Sequence, residues 1–264
     1  SKGEKSMNIL MTIDVGNTNI SLGLMQGNEV IGSFRLTTKT PRTSDEFGLC
    51  IKELLDMTKL QEDDIEAVII SSVVPKIMYS LTSAIVKFLH KDPIIVGPGI
   101  KTGISIRTDN PREVGADRIV DISMAYHTYH KSCIIVDFGT ATTFDYISGD
   151  GVFKYTVIAP GLGIVANALT SQTAKLPEIE IQKPESILNG NTITGMQAGV
   201  IYGYIGSVEY IIKQMKKELK LKDCLVIATG GLGKVIAKET KEIDLFDPDV
   251  AYKGMRILYD LNKK

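Results

Sequence analysis

Cys133-Ile134-Ile135-Val136-Asp137-Phe138-Gly139-Thr140-Ala141-Thr142-Thr143 is the stretch on which the fold turns. An apolar, mostly β-branched run makes a short buried strand. That strand delivers an aspartate, and a glycine two positions on lets the chain turn tightly. A strand ending in Asp-x-Gly sets a carboxylate at a strand end with small hydroxyl-bearing residues just beyond. The pattern occurs once before, where the apolar run from Asn8 leads into Asp14-Val15-Gly16-Asn17-Thr18-Asn19. Backbone N–H groups and hydroxyls of such a loop suit a polyphosphate, and the carboxylate suits Mg²⁺ or its water shell. Either loop alone matches an ordinary Asx/Gly turn. Two of them, one in each half, predict a pair facing each other across an ATP cleft.

Working outward, the first half reads as strands over 8–14, 20–25 and 29–36, a helix over 44–60, a strand over 65–74, a helix over 76–90 and a strand over 93–96. Gln26-Gly27-Asn28 marks a hairpin. Phe47, Cys50, Ile51, Leu54 and Leu55 give the first helix its spacing, with Ser44 placed to cap it. The order then begins again. After a helix over 113–130 come strands over 133–137, 142–147 and 152–159, helices over 163–173 and 195–219, a strand over 224–228, and helices over 232–239 and 251–261. A repeat this long is not a solenoid period and predicts a duplicated lobe. The expected lobes are 7–112 and 113–264, joined by the helix over 113–130. Residues 1–6 read as a cloning remnant or disordered terminus.

The composition narrows the class. A chain of 264 residues, 44% hydrophobic and 23% charged, is that of a globular protein with a sizeable core. A net charge of −1 provides no field for nucleic acid or an anionic membrane. Cys50, Cys133 and Cys224 are far apart with no Cys-x-x-Cys, which argues against a disulfide framework or zinc ribbon and for a cytoplasmic home. No apolar span is long enough to cross a bilayer.

Two further motifs carry chemistry. Thr229-Gly230-Gly231-Leu232-Gly233 follows a strand and opens a helix, so its backbone could lie flat against a planar ring or ribose. Ala228 and Val235 occupy positions where a P-loop needs Gly and Ser/Thr, which excludes a Walker A. In Asn110-Pro111-Arg112-Glu113-Val114-Gly115-Ala116-Asp117-Arg118, a carboxylate near a helix start suits the helix dipole. An arginine gains little there, so Asp117 and Arg118 together suggest a base and an anion clamp.

In this order and spacing the 14–19, 115–118 and 137–143 motifs resemble those of type III pantothenate kinases. The resemblance runs over essentially the whole chain from Met7 and includes Gly190-Asn191-Thr192. It implies an α/β protein of two duplicated ribonuclease H-like lobes, the actin-like ATPase fold, each with a central mixed sheet and a cleft between. It implies phosphorylation of pantothenate by ATP as the first step towards coenzyme A. By resemblance Asp14, Val15, Gly16, Asn17, Thr18, Asn19, Ile20 and Ser21 line the ATP phosphates, Thr140 contacts ATP, and Asp117 is the general base. Gly115, Ala116, Asp117, Arg118 and Thr192 hold pantothenate. Asp14 holds Mg²⁺ through water, and Asp137 binds a monovalent cation, K⁺ or NH₄⁺. Thr108 stands where the family often has a substrate-contacting tyrosine. Gly230 and Gly231 complete the expected ATP site.

Two rival readings belong beside this one. Gly161-Leu162-Gly163-Ile164-Val165-Ala166 formally matches a dinucleotide fingerprint, with Glu178 and Glu180 downstream, as in an NAD-binding oxidoreductase; Pro177 leaves it no second strand. A regulatory or chaperone-like ATP switch of the same fold is the other, and it has no need of Asp117 and Arg118. The helix over 195–219 carries Ile201, Tyr202, Tyr204, Ile205, Val208, Ile211, Ile212 and Met215, a wider apolar set than one surface helix buries, and predicts a homodimer. His127 and His130 read as a solvated helix face, and Lys213, Lys216, Lys217, Lys220 and Lys222 as a solubilising one.

Overall fold

The computed structural model describes residues 7–263, so the reading of residues 1–6 falls outside it. β1 (Ile9–Val15), β2 (Asn19–Gln26) and β3 (Glu29–Thr37) form an antiparallel meander. α1 (Ser44–Thr58), β4 (Ile65–Ser72), α2 (Pro75–Leu89) and β5 (Ile94–Ile95) follow. β4 and β5 extend the sheet in parallel from β1, giving the order β3-β2-β1-β4-β5. β6 (Ser105–Ile106) and a 3₁₀ turn over Pro111–Glu113 lead to α3 (Ala116–Tyr129). The second meander is β7 (Cys133–Phe138), β8 (Ala141–Ile147) and β9 (Val152–Pro160). After it come α4 (Leu162–Ser171), α5 (Thr192–Glu218), β10 (Leu225–Thr229), α6 (Gly233–Ala237), β11 (Leu245–Phe246) and α7 (Val250–Asn262).

The second sheet runs β11-β10-β7-β8-β9-β6. Its first five strands repeat the first sheet in order and sense, with β7 in the place of β1 and β10 in that of β4. β6 is the addition, parallel to β9. The duplication read from the two Asp-x-Gly runs is therefore a duplication of topology.

Alternation along β1 decides what each face meets. Ile9, Met11, Ile13 and Val15 join Phe47, Ile51, Leu54 and Leu55 of α1 and Leu81, Ile85 and Leu89 of α2 in one core. Each such side chain, fully buried, contributes about 1.5–3 kcal/mol of transfer free energy. α7 packs against β1, β2 and β4. In the second sheet Ile134, Val136 and Phe138 pack with Val200, Ile201, Tyr204, Val208 and Ile212 of α5.

By contacts along the chain, the structure divides into two compact units. One gathers the described residues up to Ile104, Asn110–Thr128 and those from Asp249 onward; the other holds Ser105–Asp109 and Tyr129–Pro248. The cause is helix packing. A Cβ on Gly254 of α7 would lie 2.3 Å from the Val120 carbonyl oxygen of α3, so these two helices touch backbone to backbone, and α7 lies on the first sheet.

Other expectations shift locally. α1 is capped by Thr43, not Ser44: Thr43 accepts from the Glu46 N–H, and Glu46 returns the bond to the Thr43 N–H, a reciprocal pair open only to the residue three before a glutamate. α3 begins at Ala116 because Pro111–Glu113 takes the 3₁₀ form. α5 begins earlier than read, at Thr192, where the Asn191 side chain accepts from the Thr194 N–H at 3.0 Å. The NAD-binding reading is overturned. The strand before Gly161, β9, is the last of an antiparallel meander, and no strand follows α4 over residues 172–191, so the βαβ unit is absent. Gly161 is a glycine for packing, since a Cβ there would lie 2.1 Å from the Thr140 carbonyl oxygen. Among the described residues no helix is long and apolar enough to cross a membrane.

Candidate active site

In the first unit, strand register assembles a polar row across the sheet. Asp14 pairs with Ser21 on β2 and with Ser71 on β4, and Ser21 pairs with Arg35 on β3. Laterally paired residues share a face, so Ser71, Asp14, Ser21 and Arg35 stand side by side. Asp14 and Ser21 are half-buried and Arg35 is exposed. Ser71 is fully buried, and its hydroxyl has no hydrogen-bond partner in the structure. Beyond Asp14 the turn is closed by Gly16 donating to the Asn19 carbonyl at 2.9 Å. Thr38, at the end of β3, donates its hydroxyl to the Gly16 carbonyl at 2.7 Å and its N–H to the Thr18 carbonyl at 2.9 Å. Asn17, Thr18 and Asn19 are thereby held exposed, with Val15 and Ile20 buried beneath them.

The turn ahead of α3 belongs to the same unit. Val73 donates its N–H to the Val15 carbonyl at 3.0 Å. A Cβ on Gly115 would lie 3.5 Å from Val73 Cγ1 and only 2.6 Å from Asp117 Oδ1. Gly115 is thus a glycine because the Asp117 carboxylate occupies the space a side chain would fill. Asp117 Oδ1 also accepts the Arg118 N–H at 2.8 Å, in the first turn of α3 where the helix dipole favours a carboxylate. Asp14, its turn and Asp117 are thereby gathered about Val15 and Val73.

The second unit repeats the row. Asp137 pairs with Thr143 on β8 and with Thr229 on β10, the positions that Ser21 and Ser71 take beside Asp14. Gly230, with φ of 93°, comes so near that a Cβ would meet Asp137 Oδ1 at 2.7 Å and the Phe138 carbonyl oxygen at 2.6 Å. The glycine read as a platform for a ring is thus first a spacer against Asp137, whereas Gly231 has nothing within 4 Å of a Cβ. Thr140 is exposed between β7 and β8. Thr192 is exposed in the first turn of α5. Thr108, just past β6, is half-buried, with its hydroxyl oxygen buried and unpartnered.

The donor sets differ between the two carboxylates. Asp14 stands between two serine hydroxyls, one of them buried and unsatisfied, which suits an ordered hydration shell and hence Mg²⁺, an ion that keeps several waters. Asp137 stands among two threonines and close-approaching backbone, an all-oxygen set of the kind hard cations take. Among the described residues no three His, Cys, Asp or Glu side chains gather into a metal cage. Cys133 and Cys224 take no part in the chemistry. Burial pushes their thiols up to about 12 and about 11, leaving them protonated and unreactive. His127 is half-buried rather than solvated, with Nε2 donating to the Thr102 carbonyl at 2.7 Å. Lys213 and Lys216 pair with Glu209 and Glu242.

Sequence reading missed Ser71, Thr38 and the role of Gly115. Ser71 ends the apolar run of β4, where a hydroxyl in the core was the available signal; Thr38 carried none.

Comparison with solved structures agrees with this topology. A Campylobacter jejuni protein described as a conserved putative Baf family transcriptional activator aligns with a TM-score of 0.60 at 18% identity, over 96% of this chain and 98% of that one. A putative 2-dehydro-3-deoxygalactonokinase from Sinorhizobium meliloti aligns at 0.59 with 11% identity, over 97% of each chain. At such identities only the fold is shared, and it is the two-lobed α/β fold of actin-like ATPases and sugar kinases. The sequence comparison is narrower: residues 10–214 match the type III pantothenate kinase family, and the type III pantothenate kinase of Agathobacter rectalis is 50% identical over 95% of this chain and 96% of its own. This chain belongs to the type III pantothenate kinase family.

Proposed function

We propose that this chain transfers the γ-phosphoryl group of ATP to the primary hydroxyl of pantothenate, forming 4′-phosphopantothenate, the first step of coenzyme A biosynthesis. One observation carries the reading: the family match spans residues 10–214, a range that takes in Asp14, Asp117, Asp137 and Thr192.

Phosphoryl transfer asks a protein mainly to position groups and stabilise charge. Residues 14–21 engage the ATP phosphates through the exposed donors of the turn that Thr38 clamps; Thr140, Gly230 and Gly231 are the second unit's own ATP contacts in this reading. Asp117 accepts the proton of the attacking hydroxyl. Its Oδ1 is fixed by the Arg118 N–H and by the space above Gly115, which orients it before substrate arrives. Gly115, Ala116, Arg118 and Thr192 hold pantothenate, with Arg118 supplying a cation for its carboxylate. Thr108, half-buried, would replace the family's tyrosine as a smaller polar contact. Asp14 would hold Mg²⁺ through water, and Asp137 a monovalent cation; both ions supply positive charge against the phosphates. Asp117 and Arg118 favour a kinase over an ATP switch of the same fold.

The active form is a cytoplasmic homodimer. Much of the apolar set of α5 is taken up inside its own unit, with Ile201, Tyr204, Val208, Ile212 and Met215 buried. Its outward face carries Gly195, Gly199, Gly203 and Gly206, each open to close approach. The test of function is a coupled ATPase-linked assay with pantothenate against a panel of sugars and hydroxy acids. Turnover only with pantothenate is expected; preference for another acceptor overturns the assignment.

A further inference from the structure

The first turn of α7 places Tyr252 over the row that contains Asp14. Tyr252 is 7% exposed. A Cβ on Gly23 would lie 2.7 Å from Tyr252 Cδ1 and 2.9 Å from Cε1, so the ring rests on the bare backbone of β2. That explains a glycine in the middle of a buried strand, where it otherwise weakens the strand. Ser21 is two residues along β2 and on the same face, and the Tyr252 hydroxyl hydrogen-bonds its side chain. Ser21 is in turn paired directly across from Asp14, where side chains start about 5 Å apart at Cβ, within reach of a hydroxyl-to-carboxylate bond. Burial raises the Tyr252 pKa and the Asp14 charge adds to the rise, with Arg35 and the Ser21 hydrogen bond opposing. The phenol therefore stays protonated at physiological pH and keeps a hydrogen to donate.

We propose that Tyr252 is a positioning residue for Asp14, acting through a relay in which the Tyr252 hydroxyl donates to Ser21 Oγ and the Ser21 hydroxyl donates to the Asp14 carboxylate. The proposal deepens the reading of Asp14 as the carboxylate that holds the magnesium shell, and rests on it. A serine hydroxyl rotates freely and has one hydrogen to give. Left alone, it can turn towards solvent, ATP or a neighbouring carbonyl. A donor fixed by ring packing on Gly23 and by α7 occupies its lone pair and aims its hydrogen across the strand pair. Ser71, on the other side of Asp14, has an unpartnered buried hydroxyl and no such fixed donor, so the carboxylate is oriented from the Ser21 side. The C-terminal helix, more than two hundred residues from the loop it supports, thereby sets the orientation of the carboxylate in the first phosphate loop.

The test measures binding of a non-hydrolysable ATP analogue by calorimetry at a series of Mg²⁺ concentrations, alongside steady-state kinetics. Tyr252→Phe keeps the ring on Gly23 and removes only the hydroxyl. It is expected to raise the half-saturating Mg²⁺ concentration about tenfold, the scale of lost outer-shell support. Analogue affinity in EDTA, the pantothenate KM and the thermal midpoint are expected to stay as in wild type. Ser21→Ala should give at least that shift, and Tyr252→Phe added to Ser21→Ala should give no more, because both remove the same relay. A wild-type Mg²⁺ dependence in Tyr252→Phe, with Asp14→Asn strongly shifted, overturns the relay and leaves the reading of Asp14 standing. Additive shifts in the double variant overturn it too. An unshifted Asp14→Asn variant overturns the reading of Asp14 and the relay with it. If Tyr252→Phe fails to fold, the decision passes to Ser21→Ala, where a wild-type Mg²⁺ dependence refutes the proposal and a shift supports it.

Discussion

Gly115→Ala isolates the placement of one carboxylate from everything else in the site. The added Cβ would lie 2.6 Å from Asp117 Oδ1, whereas ordinary contact begins at 3.4 Å, so the carboxylate has to move by about 0.8 Å or rotate off the Arg118 N–H. Gly115 is not among the residues of positive φ, and its other neighbour, Val73 Cγ1, lies at an ordinary 3.5 Å, so the backbone accepts alanine. The stability cost at a helix start is within about 1 kcal/mol, or some 2–4 °C in Tm for a chain of this size. The cost to chemistry is larger. A general base contributes about 10²–10⁴-fold, and a displacement of about 1 Å costs on the order of 10². The account predicts a 10- to 100-fold loss of kcat with the ATP KM unchanged, read in a coupled assay beside a melting curve. A folded Gly115→Ala variant within twofold of wild-type kcat would refute the claim that Asp117 must stand where the structure has it.

Asp117→Asn should lose roughly 10²–10⁴-fold in turnover while binding ATP normally by calorimetry. Turnover should require K⁺ or NH₄⁺ as well as Mg²⁺, and equal rates in buffers free of both monovalent ions would remove the role given to Asp137. Light scattering at low micromolar concentration should report about twice the 28.8 kDa of one chain; a fully active monomer would show that the site needs no second copy. The buried thiols set an alkaline limit. Because Cys133 and Cys224 hold their protons to about 12 and about 11 when folded and to about 9 when unfolded, the unfolded state releases protons first and stability falls as pH rises from 9 to 11. Melting curves of Cys133→Ala/Cys224→Ala over that range should show a shallower decline than wild type.

The parts of the site legible in the sequence are those that sit within one short run. Asp14 and Asp137 announce themselves because strand, carboxylate and glycine are consecutive, and the repeat of that run exposed the duplicated topology. Chain-distant packing was not legible. Tyr252 reaches Ser21 only because α7 folds back on β2, and periodicity in 250–262 gives a helix without saying which strand it covers. The same blindness hid the packing of α3 on α7 through Gly254, a contact no local pattern encodes. β6 and β11, two residues each, are too short for alternation to register. Glycines were the most ambiguous letters. Gly161 imitated a dinucleotide motif, and at both Gly161 and Gly230 the structure shows backbone or carboxylate where a Cβ would be, a packing reason the letters alone do not reveal.

The central claim is tested most directly by incubating the purified protein with ATP, Mg²⁺, K⁺ and pantothenate and measuring the products by mass spectrometry. The account predicts stoichiometric conversion to ADP and 4′-phosphopantothenate, abolished in Asp117→Asn. ATP consumed without a phosphorylated pantothenate, or phosphorylation undiminished in Asp117→Asn, would contradict it.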